Sequence, residues 1–108
     1  MALAKKNRLT NKKDFNLVLR KGFAVKGHFL LIKYIKTALS VPRFGFAVSL
    51  KVSGNAVNRN RIKRILSEVV RQYLSNKTEG YDAIIMVSRK EKEGVLVQEL
   101  RSLLSKLP

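Results

Sequence analysis

The sequence predicts an α+β fold: a single-domain sandwich with the element order α-β-β-β-α-β-α. Three observations predict it. Apolar residues recur at helical spacing in three stretches, at 11–21, 55–75 and 91–107. Alternating or continuous apolar runs of strand length lie between them, at 29–36, 43–51 and 81–88. The chain has 108 residues, 45% of them hydrophobic, which is enough for one modest core and not for two.

Residues 1–8 are basic and non-periodic and read as a flexible arm. Thr10 or Asn11 can cap a short helix that ends at Gly22, with Phe15, Val18 and Leu19 on one stripe. Phe15 reads most simply as a core residue; the alternative is that its edge lines a groove. Residues 23–27 add a short strand. From Phe29 to Lys36, Leu30, Ile32 and Tyr34 face one way, and Phe29, Leu31, Lys33 and Ile35 the other. A turn follows around Thr37 to Pro42. Along Arg43–Lys51, Phe44, Phe46, Val48 and Leu50 make a core face opposite the small residues Gly45, Ala47 and Ser49. That small face suits either a packed helix or the close approach of a ligand backbone. A turn is expected over Asn76–Gly80. Tyr81–Ser88 is nearly all apolar, as in a strand buried on both faces. Leu96, Leu100, Leu103, Leu104 and Leu107 give the last helix its stripe.

Charge narrows the function. Lys and Arg number 23 against 7 Asp and Glu, a net charge of +16. No carboxylate occurs between Asp14 and Glu68. Such an excess on a small domain calls for a polyanionic partner. No helix pairs a basic face with exposed Trp or Phe, so a membrane surface fits less well. Cys is absent, and the N-terminal residues lack the apolar core of a signal peptide, so the expected compartment is the cytoplasm.

The cations concentrate at Gly54–Arg71, where a polar and basic head leads into an apolar stripe of Ile62, Ile65, Leu66, Val69, Val70 and Tyr73. Ser53 or Asn55 can cap this helix. Asn55 and Arg59 lie near the angle of the stripe but one to two turns earlier, so they project past the core. Arg61 and Arg64 fall on the solvent side, and Lys63 at the margin. Cations are disfavoured at a helix N-terminus, and no acid neighbours them in sequence. An anion is the fitting partner, and a phosphate combines the helix N–H groups with arginine. Catalytic chemistry is hard to assemble here. His28 is the only histidine, the acids are scattered, and no phosphate-binding Gly-rich loop is present. The chain reads as a nucleic-acid binder without a catalytic residue or bound metal of its own.

At Gly54-Asn55-Ala56-Val57-Asn58-Arg59-Asn60-Arg61-Ile62-Lys63-Arg64 the sequence resembles the protein subunit of bacterial ribonuclease P. Lys51, Gly54–Val57, Arg59–Arg61, Lys63 and Arg64 match the family signature. Asn7-Arg8-Leu9, Asp14-Phe15, Gly22 and Arg43-x-Gly45 extend the likeness along most of the chain. The resemblance implies a partner of a catalytic RNA that removes the 5′ leader from precursor tRNA, with Mg²⁺ ions at the RNA active site and none held by the protein alone. It implies that Lys51, Asn55, Arg59, Asn60, Arg61, Lys63 and Arg64 contact the catalytic RNA. It further implies a leader-binding cleft between the first helix and the sheet, assigned here to Phe15, Leu19, Ile32, Tyr34 and Arg43, and a left-handed β-α-β crossover. Leu19 stands where relatives often have a second aromatic, and Leu50 where many have Lys. Two other readings use the same charge. One is a structural ribosomal-type RNA-binding protein; the other is a major-groove DNA reader, disfavoured because a strand and not a short helix precedes the basic helix.

Overall fold

The computed structural model describes residues 3–74 and 79–108, so most of the turn expected at 76–80 lies outside the described residues. Helix α1 spans Lys12–Lys21, strands β1, β2 and β3 span Phe23–Lys26, Leu30–Lys36 and Arg43–Val48, helix α2 spans Ala56–Tyr73, strand β4 spans Tyr81–Val87, and helix α3 spans Glu93–Leu104. The predicted order of elements is the observed one.

The four strands form one sheet in the order β1-β2-β4-β3. β4 pairs antiparallel with β2 and parallel with β3, the parallel partners being joined through α2. The register sorts every side chain to one of two faces. Leu30, Ile32, Phe44, Phe46, Tyr81, Ala83, Ile85 and Val87 share the face that packs on Leu66, Val69 and Val70 of α2 and on Leu96, Leu100, Leu103 and Leu104 of α3. The other face carries Ile35, Ile84, Ala47 and Met86, which pack with Phe15, Val18 and Leu19 of α1. β4 is thus covered on both sides, as its apolar run predicts.

Local chemistry fixes the ends of α1. The Asn11 side chain accepts from the backbone N–H groups of Lys13 and Asp14 at 2.9 and 3.3 Å. Gly22 ends the helix for want of room and not for a left-handed turn. Its φ is −69°, and a Cβ there would sit 2.5 Å from the Val18 carbonyl oxygen.

Two expectations are corrected. The arm at 1–8 is not loose from Leu3 onward. Leu3 is buried in the main core, Lys5–Asn7 form a 3-10 turn, and the Asn7 amide donates to the Pro42 carbonyl at 2.9 Å. The Leu9 N–H then donates to the Phe44 carbonyl at 2.9 Å, so this segment covers the outer edge of β3. Leu50 does not extend the core face of β3, because the strand ends at Val48 and the chain turns. Leu50 is 71% exposed, and Val52 enters the core instead.

A half-buried carboxylate ties α3 to the β1–β2 hairpin. Oε1 of Glu99 accepts from the N–H groups of Phe29 and Leu30, each at 2.8 Å. Gly27 leaves the space, since a Cβ there would lie 2.0 Å from that oxygen. Glu99→Ala removes the acceptor from both donors and is expected to cost about 1.5–3 kcal/mol of stability; urea unfolding monitored by circular dichroism measures it.

Candidate nucleic-acid interface

The head of α2 leaves the protein body as its pattern predicts. The Asn55 side chain caps the helix by accepting from the Val57 N–H at 2.8 Å, and the Ser53 hydroxyl accepts from the Asn55 N–H at 3.2 Å. Asn60, Arg61 and Arg64 are exposed, Arg59 and Lys63 are half-buried, and Lys51 is exposed on the approach to the helix. Val57 is 71% exposed among them, an apolar side chain left at the surface of a basic helix.

The arginines are not all idle. Arg59 folds back and donates from Nη1 to the Ser53 carbonyl at 2.9 Å, bracing the loop before its own helix. Arg61 donates from Nε to Glu93 at 2.8 Å, a carboxylate at the start of α3. The expectation of a head without acids therefore holds along the sequence and fails in space. Both Arg61 and Glu93 remain largely exposed, so the pair contributes little to stability. Beside it opens a groove of about 620 Å³, lined by Lys51, Ser53, Gly54, Asn58, Arg61 and Lys90 among others. A side chain at Gly54 would meet nothing, which leaves that part of the helix entrance open to a large partner. Sequence reasoning missed Asn58 and Lys90. The adjacent Arg89-Lys90 pair after β4 was the signal for the second.

The second locus is the face under α1. Phe15 lies directly on Gly45, where a Cβ would come within 2.8 Å of the ring carbon Cε2. The small face of β3 thus admits a helix, and Phe15 is the side chain it admits. The ring is only partly buried, so an edge is left over after packing. Leu19 is half-buried one turn on, and Lys33 donates from Nζ to the Leu19 carbonyl at 2.9 Å near the C-terminal end of α1. A smaller groove of about 340 Å³ includes Ala47 and Met86 from this face and reaches Ser49 and Lys51. Lys51 lines both grooves, so the α1 face and the α2 head meet at one lysine.

Three of the residues assigned to a leader cleft do not present themselves there. Ile32 is fully buried, and both Ile32 and Tyr34 point to the α2/α3 side, because β2 alternates and Lys33 and Ile35 take the α1 side. Arg43 is on the α1 side but is committed. It donates from Nε and Nη2 to the two oxygens of Asp82 at 2.8 and 2.6 Å, and from Nη2 to Asp14 at 3.2 Å. One guanidinium thereby joins β3, β4 and the first turn of α1, and two carboxylates cancel its charge. Among the described residues no group of three or more His, Asp or Glu side chains gathers as a metal site requires.

The family model described as Ribonuclease P matches residues 3–108. The chain belongs to the ribonuclease P protein family. Among its relatives is the ribonuclease P protein component of Syntrophomonas wolfei, 41% identical over 81% of this chain and 71% of that protein. The component from Caldanaerobacter subterraneus is 35% identical over 96% of this chain and 91% of its own length. Among solved structures, a Staphylococcus aureus RNase P protein superposes with a TM-score of 0.82 at 26% identity, covering 94% of this chain and 87% of that one. The RNase P protein of Thermotoga maritima in complex with 1-(4-fluorophenyl)-2-thiourea shares the fold, with a TM-score of 0.82 at 24% identity over 94% of this chain and all of that one.

In this ribonuclease P family member the Phe15–Gly45 contact tests how α1 is seated. Gly45→Ala drives a methyl into the ring and is expected to cost about 1–3 kcal/mol by overpacking. Combined with Phe15→Ala the clash disappears, so the two losses measured by denaturant unfolding should sum to more than the loss in the double variant.

Proposed function

We propose that this chain is the protein subunit of a ribonuclease P ribonucleoprotein, working in the cytoplasm with a catalytic RNA that cleaves the 5′ leader from precursor tRNA. The observation that carries the reading is the α2 head. An Asn-capped helix start, rich in cations and open to solvent, carries the family signature at Asn55–Arg64. A helix N-terminus loaded with arginine is unfavourable by itself and favourable against phosphate. Asn55, Asn60, Arg61 and Arg64, with Lys51, Arg59 and Lys63 beside them, form the surface assigned to the catalytic RNA. Arg59 reaches that role through the loop it braces.

The leader is assigned to the α1 side, to the Phe15 edge and Leu19 with Ala47, Met86 and Lys51 along the groove. Single-stranded RNA asks for stacking surface and scattered cations, and little sequence reading is expected of such a site. Arg43 serves there by seating α1 and not by contacting a phosphate. Cleavage itself stays with the RNA, whose Mg²⁺ ions lie at the reacting phosphate. Of the chain's own carboxylates near these surfaces, Asp14, Asp82 and Glu93 are engaged by arginines, and Glu91 accepts from the Lys92 N–H.

The deciding assay is leader release from 5′-labelled precursor tRNA at low Mg²⁺, with a bacterial catalytic RNA plus and minus the protein. Stimulation that needs both is the expected outcome. Tight RNA binding with no stimulation of a matched RNA would favour a ribosomal-type binder, and cleavage by the protein alone would overturn the division of labour. Within the complex, Arg59→Ala with Arg61→Ala should weaken catalytic-RNA binding by tenfold or so while leaving the thermal transition nearly in place; unchanged affinity removes the α2 head from the interface. Phe15→Ala should weaken leader-containing substrate more than catalytic RNA, and equal losses in the two titrations would point to damaged packing under α1.

A further inference from the structure

Tyr34 leaves the α1 cleft empty-handed but is not an ordinary core residue. It stands directly across the β1–β2 ladder from Phe23, with ring centroids 5.9 Å apart and planes tilted by 43°. Behind Tyr34 the Tyr81 ring meets it edge-on at 6.2 Å, and Phe44 in turn meets Tyr81 at 5.7 Å. Tyr81 and Phe44 are buried, whereas Phe23 is 68% exposed. An aromatic series therefore starts in the main core and ends in solvent on the outer strand. Val25, two residues along β1, does pack against the core, so the strand could have turned an apolar side chain inward at this end as well.

A single exposed apolar residue ordinarily needs no explanation. Two features set Phe23 apart. Its position is fixed by a cross-strand partner that is itself held by buried rings, so the exposed face is presented without a large loss of side-chain freedom on binding. A cation also shares its face: Lys36 follows Tyr34 on β2 and is exposed, while the exposed Arg20 and Lys21 end α1 just before Phe23 in the chain. A rigid aromatic face beside a cation matches a nucleobase with its phosphate.

We propose that Phe23, backed by Tyr34 and accompanied on the same face by Lys36, is a second contact for single-stranded RNA, on the face of the sheet away from α1. A base stacks on the open side of Phe23 while an adjoining phosphate meets Lys36. The site lies outside both surfaces assigned above, and it requires only that the chain bind RNA.

The test uses the full chain and a short labelled oligouridylate, with no catalytic RNA. Phe23→Ala should weaken binding about fivefold or more at matched salt, with an unchanged thermal transition. Phe23→Trp should retain affinity, and Phe23→Leu should lose it as Ala does. Phe15→Ala alone should leave the Phe23-dependent component of binding in place, since the two sites lie on opposite faces of the sheet. Affinity unaltered by Phe23→Ala, or fully kept by Phe23→Leu, overturns the stacking site. So does sedimentation showing a dimer that Phe23→Ala dissolves, since the patch then joins two copies of the chain. Oligouridylate binding that depends on Phe23 in a protein that fails to stimulate any catalytic RNA would support this site while refuting the ribonuclease P reading.

Discussion

β4 leaves almost no face for water, Met86 being its one half-buried residue. Tyr81, Ala83, Ile85 and Val87 need cover from α2 and α3, and Ile84 needs it from α1. Burying such a strand on both sides is the main apolar gain available to a chain this short. The rest of the arrangement follows from it. β3 must lie parallel to β4, so the link between them crosses one face as α2. α2 is longer than the core it covers, and its first turns extend beyond it. On the opposite face only a small residue on β3 lets α1 approach, and Gly45 provides it. The two surfaces assigned to RNA are the places where these covering helices stop covering.

Electrostatics is arranged to the same end. The net charge of +16 disfavours the compact state through self-repulsion. Most of the few acids have a partner. Asp14 and Asp82 hold Arg43, Glu93 meets Arg61, and Glu99 caps the hairpin. Most of the remaining excess faces solvent without a carboxylate partner, which costs stability in the isolated protein and is recovered against a polyanion. Arg43 shows why residue type alone does not assign a role. On the α1 face beside Phe15 it looks like a phosphate ligand, yet its bidentate pairing makes it a seat for the helix.

Much of this was legible in the sequence because period and punctuation agreed with the tertiary outcome. Asn11 and Gly22 bracket α1, the run at 81–88 declares a doubly buried strand, and the eleven residues from Gly54 carry the family. Where reading failed, the missing information was non-local. The resemblance assigns Ile32 and Tyr34 to the cleft, and nothing in the alternation of β2 says that α1 covers the Lys33 and Ile35 face instead. Leu50 continued the period of β3 past the point where the chain turned. Leu3 looked like part of a loose arm because its core partners lie far along the chain. Glu93 and Arg61 are 32 residues apart and only the packing of α3 on α2 brings them together.

That last contact bears on how binding would respond to ionic strength. An exposed arginine meeting a phosphate releases the ions that had accumulated around the nucleic acid, and the slope of affinity against salt counts such events. Arg64 would enter that count with its full charge. Arg61 arrives already partnered, and taking a phosphate would set Glu93 free to attract cations of its own. Their uptake would partly cancel the release. The slope for a complex made through this helix would therefore report fewer phosphates than the arginines touch, and the shortfall would measure how far α3 competes with the nucleic acid for α2.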